Sequence, residues 1–338
     1  MRQKVFVTRT IPEKGLEMIK RYYDVEVWPE YTPPPYEVLL EKARESDALV
    51  TLLTDKVDCN LIESSQPRLR IIAQYAVGFD NIDLECATKH GVYVTNTPGV
   101  LTDAVADFTW GLILAVTRRI VEADQYVRSG EWHRTGTGWH PLMMLGFEVT
   151  GKTLGIIGMG RIGKAVAERA RGFKMRILYY DKKRLPEAEE RRLCAQYVDL
   201  ETLLRESDIV SIHTPLTPET YHLIGEKELR LMKPTAYLIN TARGKVVDTK
   251  ALVKALEEGW IAGAALDVFE EEPLPPDHPL TKFKNVVLAP HAASATVETR
   301  TRMAEIVAEN LIAFYEGRVP PTLVNKDVLG VRPPGFQR

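Results

Sequence analysis

The chain has 338 residues, 45 % of them hydrophobic, and a formal net charge of −2 at pH 7. This length favours two domains, and a nearly neutral charge with no same-sign run longer than three residues gives no electrostatic basis for a nucleic-acid or membrane partner. The N-terminus enters a strand-like run rather than a signal sequence, and no apolar run approaches the roughly 20 residues that span a bilayer, so a cytoplasmic protein is expected.

Strand-like apolar runs alternate with helical segments along the whole chain. The first series of runs is 4–8, 24–28, 48–53, 70–75 and 92–96, and the second is 153–158, 176–180, 209–213, 236–240, 263–268 and 286–290. Such alternation is typical of the α/β class with parallel, doubly wound sheets. Two series predict two domains of related topology.

Three cysteines, Cys59, Cys86 and Cys194, lie far apart in the sequence without C-x-x-C spacing. An odd number in this arrangement indicates neither a disulfide framework nor a zinc site. They are predicted to be buried thiols. No other group of residues has credible metal-ligand spacing, so no metal is expected.

The middle of the chain, 102–129, is predicted to be one long helix with Thr102 as its candidate N-cap. It carries too many apolar residues for an exposed helix, so burial on several sides is expected, and the domain boundary is placed in this stretch. The following loop, 130–146, is rich in glycine and aromatic residues. Its apolar surface either lines a cleft or subunit contact, or packs on its own domain.

The stretch GIIGMGRIGKAV at 155–166 carries the spacing G-x-G-x-x-G between a predicted strand and a predicted helix. Gly158 would permit the tight turn, Gly160 the close approach of a pyrophosphate, and Gly163 close packing of helix on strand. The helix N-terminus would offer N–H groups to the anion. Because this motif lies in a βαβ unit, it favours a dinucleotide over a turn that serves packing alone.

An acidic residue, Asp181, ends the second strand of this unit, 18 positions after Gly163. This is close to where a carboxylate binds the ribose hydroxyls of the adenosine. A turn or helix-capping role is the alternative.

Charged side chains follow the last three predicted strands. They are Arg243, then Asp267 with the glutamates 270–272, then His291. A structural ion pair, an acidic turn and a helix entry would explain each one singly. Because open α/β sheets bind ligands outside the carboxyl ends of their strands, the set together favours a site.

The combination has a chemical meaning. Hydride transfer from a nicotinamide to a carbonyl needs a proton donor, a cation that holds the substrate, and a carboxylate that orients the donor. Histidine, arginine and glutamate fill these roles. The other histidines (His90, His133, His140, His213, His222 and His278) lack such a setting, although His213 ends a cofactor-domain strand and is a candidate nucleotide contact.

These residues resemble the D-isomer-specific 2-hydroxyacid dehydrogenases, and within that family the archaeal glyoxylate reductases. The resemblance extends over nearly the whole chain, through YAVGFDNID, VTNTPGVLTDA, GIIGMGRIG, TPLTPETYHLI, LINTARGKVVD, GAALDVFEEEP, APHAASAT and PPTLVN. It implies a flavodoxin-like substrate domain, 1–100 with 291–338, and a Rossmann dinucleotide-binding domain, 101–290. It also implies reduction of glyoxylate and hydroxypyruvate, and a homodimer.

Carried over position by position, the family's catalytic residues fall on Arg243, Glu272 and His291. Besides the glycine loop and Asp181, the implied cofactor contacts are Arg161, Ile162, His213, Thr214, Pro215, Thr220, Thr241, Ala242, Asp267 and Ser294. The substrate carboxylate would be held by Arg243 and by the segment at Val77 and Gly78. Leu53 and Tyr75 would form pocket walls, and Trp139 would line the neighbouring subunit's site.

Two points stay open at this stage. The basic residues 182–184 after Asp181 favour NADP, whereas the carboxylate itself favours NAD. NAD is the expected cofactor. Phosphoglycerate dehydrogenase is the nearest enzymatic alternative. A nucleotide-gated corepressor of the same family is another, although neither its long tails nor its peptide cleft is evident.

Overall fold

The computed structural model describes residues 2–336, which fall into two compact units. The first unit comprises the chain as far as Leu101 and again from Ala295 onward, and the second is Thr102–Ser294. The second boundary was expected at 290/291. Residue 291 stays with the second unit because the N–H groups of Ala292 and Ala293 donate to the Asp267 carboxylate, at 2.7 and 2.9 Å. The functional assignment of the units stays a prediction.

The first unit is built on a parallel sheet of five strands. They are β1 (Lys4–Val7), β2 (Asp24–Val27), β3 (Ala48–Thr51), β4 (Ile71–Gln74) and β5 (Tyr93–Thr95), in the order β2-β1-β3-β4-β5. Its helices are α1 (Glu13–Lys20), α2 (Tyr36–Glu45), α3 (Cys59–Ser64), α4 (Leu84–Lys89) and α13 (Val297–Tyr315). Every residue of β3, β4 and β5 is buried, which explains why these strands are continuous apolar runs rather than alternating ones.

The second unit is built on a parallel sheet of seven strands. They are β6 (Thr153–Ile157), β7 (Arg176–Tyr180), β8 (Ala195–Tyr197), β9 (Ile209–Ile212), β10 (Tyr237–Asn240), β11 (Gly263–Leu266) and β12 (Val286–Leu288), in the order β12-β11-β10-β9-β6-β7-β8. Its helices are α5 (Thr102–Thr117), α6 (Ile120–Arg128), α7 (Glu131–Thr135), α8 (Arg161–Ala170), α9 (Glu187–Leu193), α10 (Leu200–Glu206), α11 (Glu226–Leu231) and α12 (Thr249–Glu257). Two parallel sheets confirm the predicted fold class.

Local predictions failed in two places in this unit. The stretch 102–129 is two helices, because Arg119 between them adopts a left-handed conformation with φ of 54°. Half of the 16 residues of α5 are buried, but α6 has no buried residue, so burial of the whole stretch was a wrong expectation. The edge strand β8 was missed, since of its three residues only Ala195 is buried and no apolar run marks it.

The cysteine prediction is also wrong. Cys59 and Cys86 form a disulfide that joins α3 to α4, with Cα atoms 5.5 Å apart. Cys194 is an exposed free thiol. The two helices pack side by side, and this places residues that are 27 positions apart in the sequence next to each other.

Within residues 2–336, no helix is both long and apolar enough to cross a bilayer. The cytoplasmic location expected from the sequence stays a prediction.

Candidate active site

The glycine loop follows β6 at the carboxyl edge of the second sheet. Gly158 has φ of +93°, a conformation that favours glycine, and a Cβ added there would lie 2.7 Å from the carbonyl carbon of His213. This residue therefore permits both the turn and its contact with the chain after β9.

Helix α8 begins directly after this turn. A Cβ on Gly163 would lie 2.2 Å from the carbonyl oxygen of Gly158, so the helix packs against the loop more closely than any side chain would allow. At Gly160, by contrast, no atom lies within 4 Å of an added Cβ. The first turn of α8, with Arg161 and Ile162, thus presents N–H groups without intrahelical partners beside open space, which suits an anion.

Asp181 follows β7 and is tied to this loop. Its Oδ2 accepts a hydrogen bond from the backbone N–H of Met159 at 2.7 Å, and its Oδ1 accepts one from the N–H of Lys183 at 3.1 Å. The residue therefore has the turn-forming role considered above. Each carboxylate oxygen accepts more than one hydrogen bond, so a ribose contact stays compatible with it.

Two of the three basic residues after Asp181 are paired with acids. Lys182 Nζ lies 3.3 Å from Glu219 Oε2, and Arg184 binds Glu190 through two hydrogen bonds of 2.9 Å. The hydroxyl of Tyr179 also donates to Glu190, at 2.6 Å. The hydrogen bonds from Arg184 and Tyr179 lower the pKa of Glu190 to about 2, so this pair is ionised at neutral pH.

The segment after β9 forms a second wall near the glycine loop. Ser211 Oγ lies 2.8 Å from His213 Nε2, and desolvation lowers the pKa of His213 to about 3, so the ring is neutral at physiological pH. Thr220 donates its hydroxyl hydrogen to the carbonyl of Pro215 at 2.7 Å and accepts the N–H of Thr217 at 2.7 Å. Thr220 therefore shapes this loop, and a direct cofactor contact by Thr214, Pro215 or Thr220 stays a prediction.

The chain after β10 is held by side chains of its own loop. Thr241 is buried, with Oγ1 3.0 Å from Thr109 Oγ1. The Asn240 amide accepts the N–H of Ala242 at 3.0 Å and donates to the carbonyl of Arg243 at 2.9 Å. These bonds fix the backbone from which the Arg243 side chain projects.

The next residue, Gly244, brings this loop against the turn after β11. A Cβ on Gly244 would lie 1.9 Å from the carbonyl carbon of Phe269 and 2.6 Å from the nitrogen of Glu270. The backbones of the two loops therefore touch. The chain leading to Glu272 consequently runs beside the arginine loop.

Glu272 and His291 form a hydrogen-bonded pair, with Oε2 of the acid 2.8 Å from Nδ1 of the ring. Its other oxygen, Oε1, accepts the N–H of Phe269 at 3.0 Å. Burial raises the pKa of Glu272, but the His291 hydrogen bond and charge, the Phe269 N–H and the Arg243 charge together leave this pKa below its usual range. The acid is therefore ionised at neutral pH, and Nε2 is the ring atom that can exchange a proton with a substrate.

Asp267 holds the segment that carries His291. Its backbone carbonyl accepts the N–H of His291 at 2.9 Å, and its carboxylate, fully buried, accepts the next two N–H groups along the chain. Burial raises the pKa of Asp267. His291 itself has φ of 54°, a left-handed conformation that turns the chain directly after β12. Ser294 lies three residues further on, at the end of this unit.

The structure thus brings Arg243, Glu272 and His291 to the ends of three adjacent strands, β10, β11 and β12. The predicted substrate residues of the first unit follow β3 and β4 in the same way. Tyr75 donates its hydroxyl hydrogen to the carbonyl of Arg300 at 2.6 Å, and the carbonyl of Val77 accepts a bond from Asn96 at 2.8 Å. The carbonyl of Gly78 accepts a bond from Gln74 at 3.3 Å, and Leu53 is half-buried.

Trp139 is an exposed aromatic residue of the second unit. Its side chain is 81 % exposed, so this residue does not pack on its own unit. Packing on its own unit was one of the two alternatives for the loop 130–146. Other large apolar side chains exposed in this part of the chain are Val127, Trp132, Leu142 and Leu145. Several exposed large apolar side chains in one part of the chain suit a protein contact.

Two acid–histidine contacts were not predicted from the sequence. His222 Nε2 lies 3.0 Å from Glu270 Oε2, and His90 Nε2 lies 3.7 Å from Glu63. These two histidines therefore have carboxylate neighbours, although neither is part of the arginine, glutamate and histidine set at the strand ends. His222 follows β9 and Glu270 follows β11, so their contact depends on the order of the strands in the sheet. The only signal in the sequence was Glu270 itself, the first of three successive glutamates, to which no role had been assigned.

Comparison with known proteins gives a consistent result. Residues 110–293 match the family described as D-isomer specific 2-hydroxyacid dehydrogenase, NAD binding domain. The chain is similar to the glyoxylate reductase of Aeropyrum pernix, at 68 % identity over 99 % of both chains, and to that of Thermococcus litoralis, at 66 % identity over 99 % of this chain and 100 % of the relative. It is also similar to the NADPH-dependent glyoxylate/hydroxypyruvate reductase of Sinorhizobium meliloti, solved with NADP and malonate, at 33 % identity over 100 % of both chains with a TM-score of 0.86.

Proposed function

Because the chain belongs to the D-isomer-specific 2-hydroxyacid dehydrogenases, we propose that it reduces glyoxylate, and also hydroxypyruvate, to the corresponding 2-hydroxy acid with NADH. The family prediction made from the sequence is confirmed, and the chain is an NAD-dependent oxidoreductase. The observation that carries the proposal is the 2.8 Å contact between Glu272 and His291 beside the Arg243 loop, on the sheet that also bears the glycine loop.

The second unit fits a dinucleotide. Open space at Gly160 lies beside the N-terminus of α8, and a side chain at this position would obstruct a pyrophosphate bound there. Asp181 lies at the end of the neighbouring strand β7. Thr214, Thr241, Ala242 and Ser294 are further proposed contacts, on the same edge of the sheet. When bound, the reduced nicotinamide supplies the hydride.

In the proposed reaction each residue of the triad has one task. The planar guanidinium of Arg243 binds the carboxylate of the 2-oxo acid and polarises its carbonyl. His291 donates the proton at Nε2 to the oxygen that becomes the hydroxyl. The Glu272 carboxylate, held by His291 and by the Phe269 N–H, orients the ring and favours its protonated form.

The first unit is proposed to complete substrate binding. N–H groups at Val77 and Gly78 would hold the carboxylate, where a small residue permits close approach, and Leu53 and Tyr75 would limit the size of the pocket. Burial raises the pKa of Tyr75 to about 12, so its hydroxyl stays neutral and adds no charge that would repel an acid. Trp139 is proposed to reach the site of a second copy in a homodimer.

The triad is tested by the pH profile of glyoxylate reduction in wild type, Glu272→Gln and His291→Gln. The amide keeps the shape of Glu272 but removes its charge, so reduction, which needs a protonated ring, should fall off at lower pH than in wild type. Glu271→Gln, the same change at the exposed neighbour, should keep the wild-type profile. An unshifted profile in Glu272→Gln, or substantial turnover by His291→Gln, contradicts the assignment.

The cofactor preference is proposed to be NADH. Asp181 would repel a 2′-phosphate, and Arg184, the cation best suited to bind one, is held by Glu190 through two hydrogen bonds. The relative from Sinorhizobium meliloti is NADPH-dependent, so the preference needs a direct measurement. A kcat/KM for NADPH equal to that for NADH would refute it, whereas Asp181→Ser should relax the selectivity.

The substrate is tested with a panel of acids and both reduced cofactors. Efficiency should fall sharply from glyoxylate and hydroxypyruvate to phenylpyruvate because of the proposed pocket walls. Preferred turnover of 3-phosphoglycerate would favour the phosphoglycerate dehydrogenase alternative. Binding of NADH without turnover of any acid would favour the corepressor alternative.

A further inference from the structure

A second carboxylate lies in the turn that carries Glu272. The side chain of Glu270 is 28 % exposed, and both of its carboxylate oxygens accept hydrogen bonds. Oε1 accepts the backbone N–H of Thr249 at 2.7 Å, and Oε2 lies 3.0 Å from His222 Nε2. Burial raises the pKa of Glu270, but the hydrogen bonds from Thr249 and His222 outweigh this effect and leave the pKa below its usual value. This carboxylate is therefore ionised at neutral pH.

The two partners of Glu270 are fixed by elements outside its own turn. Thr249 is the first residue of α12, whose N-terminal N–H groups and dipole favour an anion. His222 belongs to the segment before α11, and its backbone N–H donates to the carbonyl of Lys245 at 2.8 Å. Two residues on, Ile224 forms a parallel bridge with Val247. Glu270 therefore joins three segments, 222–224, 245–249 and 269–272.

One of these three segments contains Glu272, and another continues the loop that carries Arg243. Segment 245–249 directly continues the loop of Arg243, and at Gly244 this loop touches the backbone of Phe269 and Glu270. Segment 269–272 ends at Glu272, whose Oε1 accepts the N–H of Phe269. The Glu270 bonds and the Gly244 contact lie on the same short turn, which links Glu272 to the loop that carries Arg243.

We propose that Glu270, through Thr249 and His222, is a positioning residue for the reaction, which holds the turn 269–272 so that the Glu272 carboxylate meets His291. The proposal rests on the triad assigned under the proposed function. Glu270 bonds neither His291 nor the glycine loop, and its effect would therefore pass through Glu272. Loss of this anchor should impair the chemical step and leave dinucleotide binding unchanged.

The test is a double-mutant cycle of Glu270→Gln and Glu272→Gln, with kcat and KM for glyoxylate and the dissociation constant of NADH measured for each variant. Alone, Glu270→Gln should lower kcat on the order of ten-fold, less than the roughly 100-fold that a 1 Å misplacement costs, with NADH affinity unchanged. In the Glu272→Gln background the same change should lower kcat by less than about two-fold, because residues that act through one another are not additive.

His222 variants provide a graded second measurement that does not remove the carboxylate. His222→Gln keeps a hydrogen-bond donor toward Glu270, so its kcat should lie closer to wild type than that of His222→Ala. Glu271→Gln is the matched control for the change from carboxyl to amide. The unfolding midpoint of each variant shows whether a loss of activity follows from unfolding.

The outcomes separate this proposal from the function on which it rests. If Glu270→Gln matches Glu271→Gln, or if it lowers kcat equally in both backgrounds, Glu270 does not act through Glu272 and the proposal is overturned. The proposal is also overturned if Glu270→Gln lowers kcat, raises KM and weakens NADH binding at the same time. If Glu272→Gln is itself as active as wild type, the triad assignment fails instead.

Discussion

Replacement of Gly244 by alanine tests whether the contact between the arginine loop and the glutamate turn matters for the reaction. The new Cβ would lie 1.9 Å from the carbonyl carbon and oxygen of Phe269, whereas ordinary contacts begin at 3.4 Å. Both sides of the contact are backbone, so no flexible side chain can move aside. One loop must therefore shift by about 1.5 Å, and a misplacement of about 1 Å at an active site can cost on the order of 100-fold.

We therefore expect Gly244→Ala to lower kcat for glyoxylate reduction by about 100-fold or more. The glycine loop follows β6, two strands away from β10, but the proposed cofactor contacts Thr241 and Ala242 lie in the loop of Gly244, so a weaker affinity for NADH should accompany the loss of kcat. Steady-state kinetics and a fluorescence titration of NADH measure the two quantities. Gly172→Ala is the control, because no atom lies within 4 Å of a Cβ at that position. A Gly244→Ala enzyme with wild-type kcat would refute the reasoning.

Three further predictions concern other parts of the molecule. The double variant Cys59→Ser/Cys86→Ser should lose about 3 to 4 kcal/mol of unfolding free energy in urea, since the disulfide spans 27 positions; three titratable thiols in unreduced, unfolded wild type would show that the bond does not form. Glu190→Gln should lower the urea midpoint at pH 7 but not at pH 2. Because the pKa of Glu190 is lowered from 4.5 to about 2 in the folded chain, its ionised form stabilises the fold above pH 4.5, and this stability is lost as the pH falls to about 2. An equal loss at both pH values would contradict this. Arg243→Lys keeps the charge but loses the bidentate geometry, so kcat/KM for glyoxylate should fall by about ten-fold or more, and a wild-type value would make Arg243 structural.

The positions of most strands were predictable because most of them are short apolar runs that are buried in their sheet, although the edge strands β2 and β12 have no buried residue. This local signal exists without any partner, and it also places Arg243, Glu272 and His291 at strand ends. The helix break at Arg119 left no such signal, since its cause is one left-handed residue without glycine. Strand β8 was missed because an edge strand with one buried residue does not need an apolar run.

The chemistry of the site was predictable from residue types, but its geometry was not. Burial and turn conformation restrict the residues that are tolerated locally, and the two parallel sheets, the G-x-G-x-x-G turn and the side chains at the strand ends were therefore predictable. The neighbouring positions of β10, β11 and β12, the disulfide of Cys59 with Cys86 and the contact of Glu270 with His222 were visible only in the folded chain. These contacts join residues 22 to 48 positions apart. Which of them form depends on the order in which strands and helices pack, and local periodicity does not encode that order.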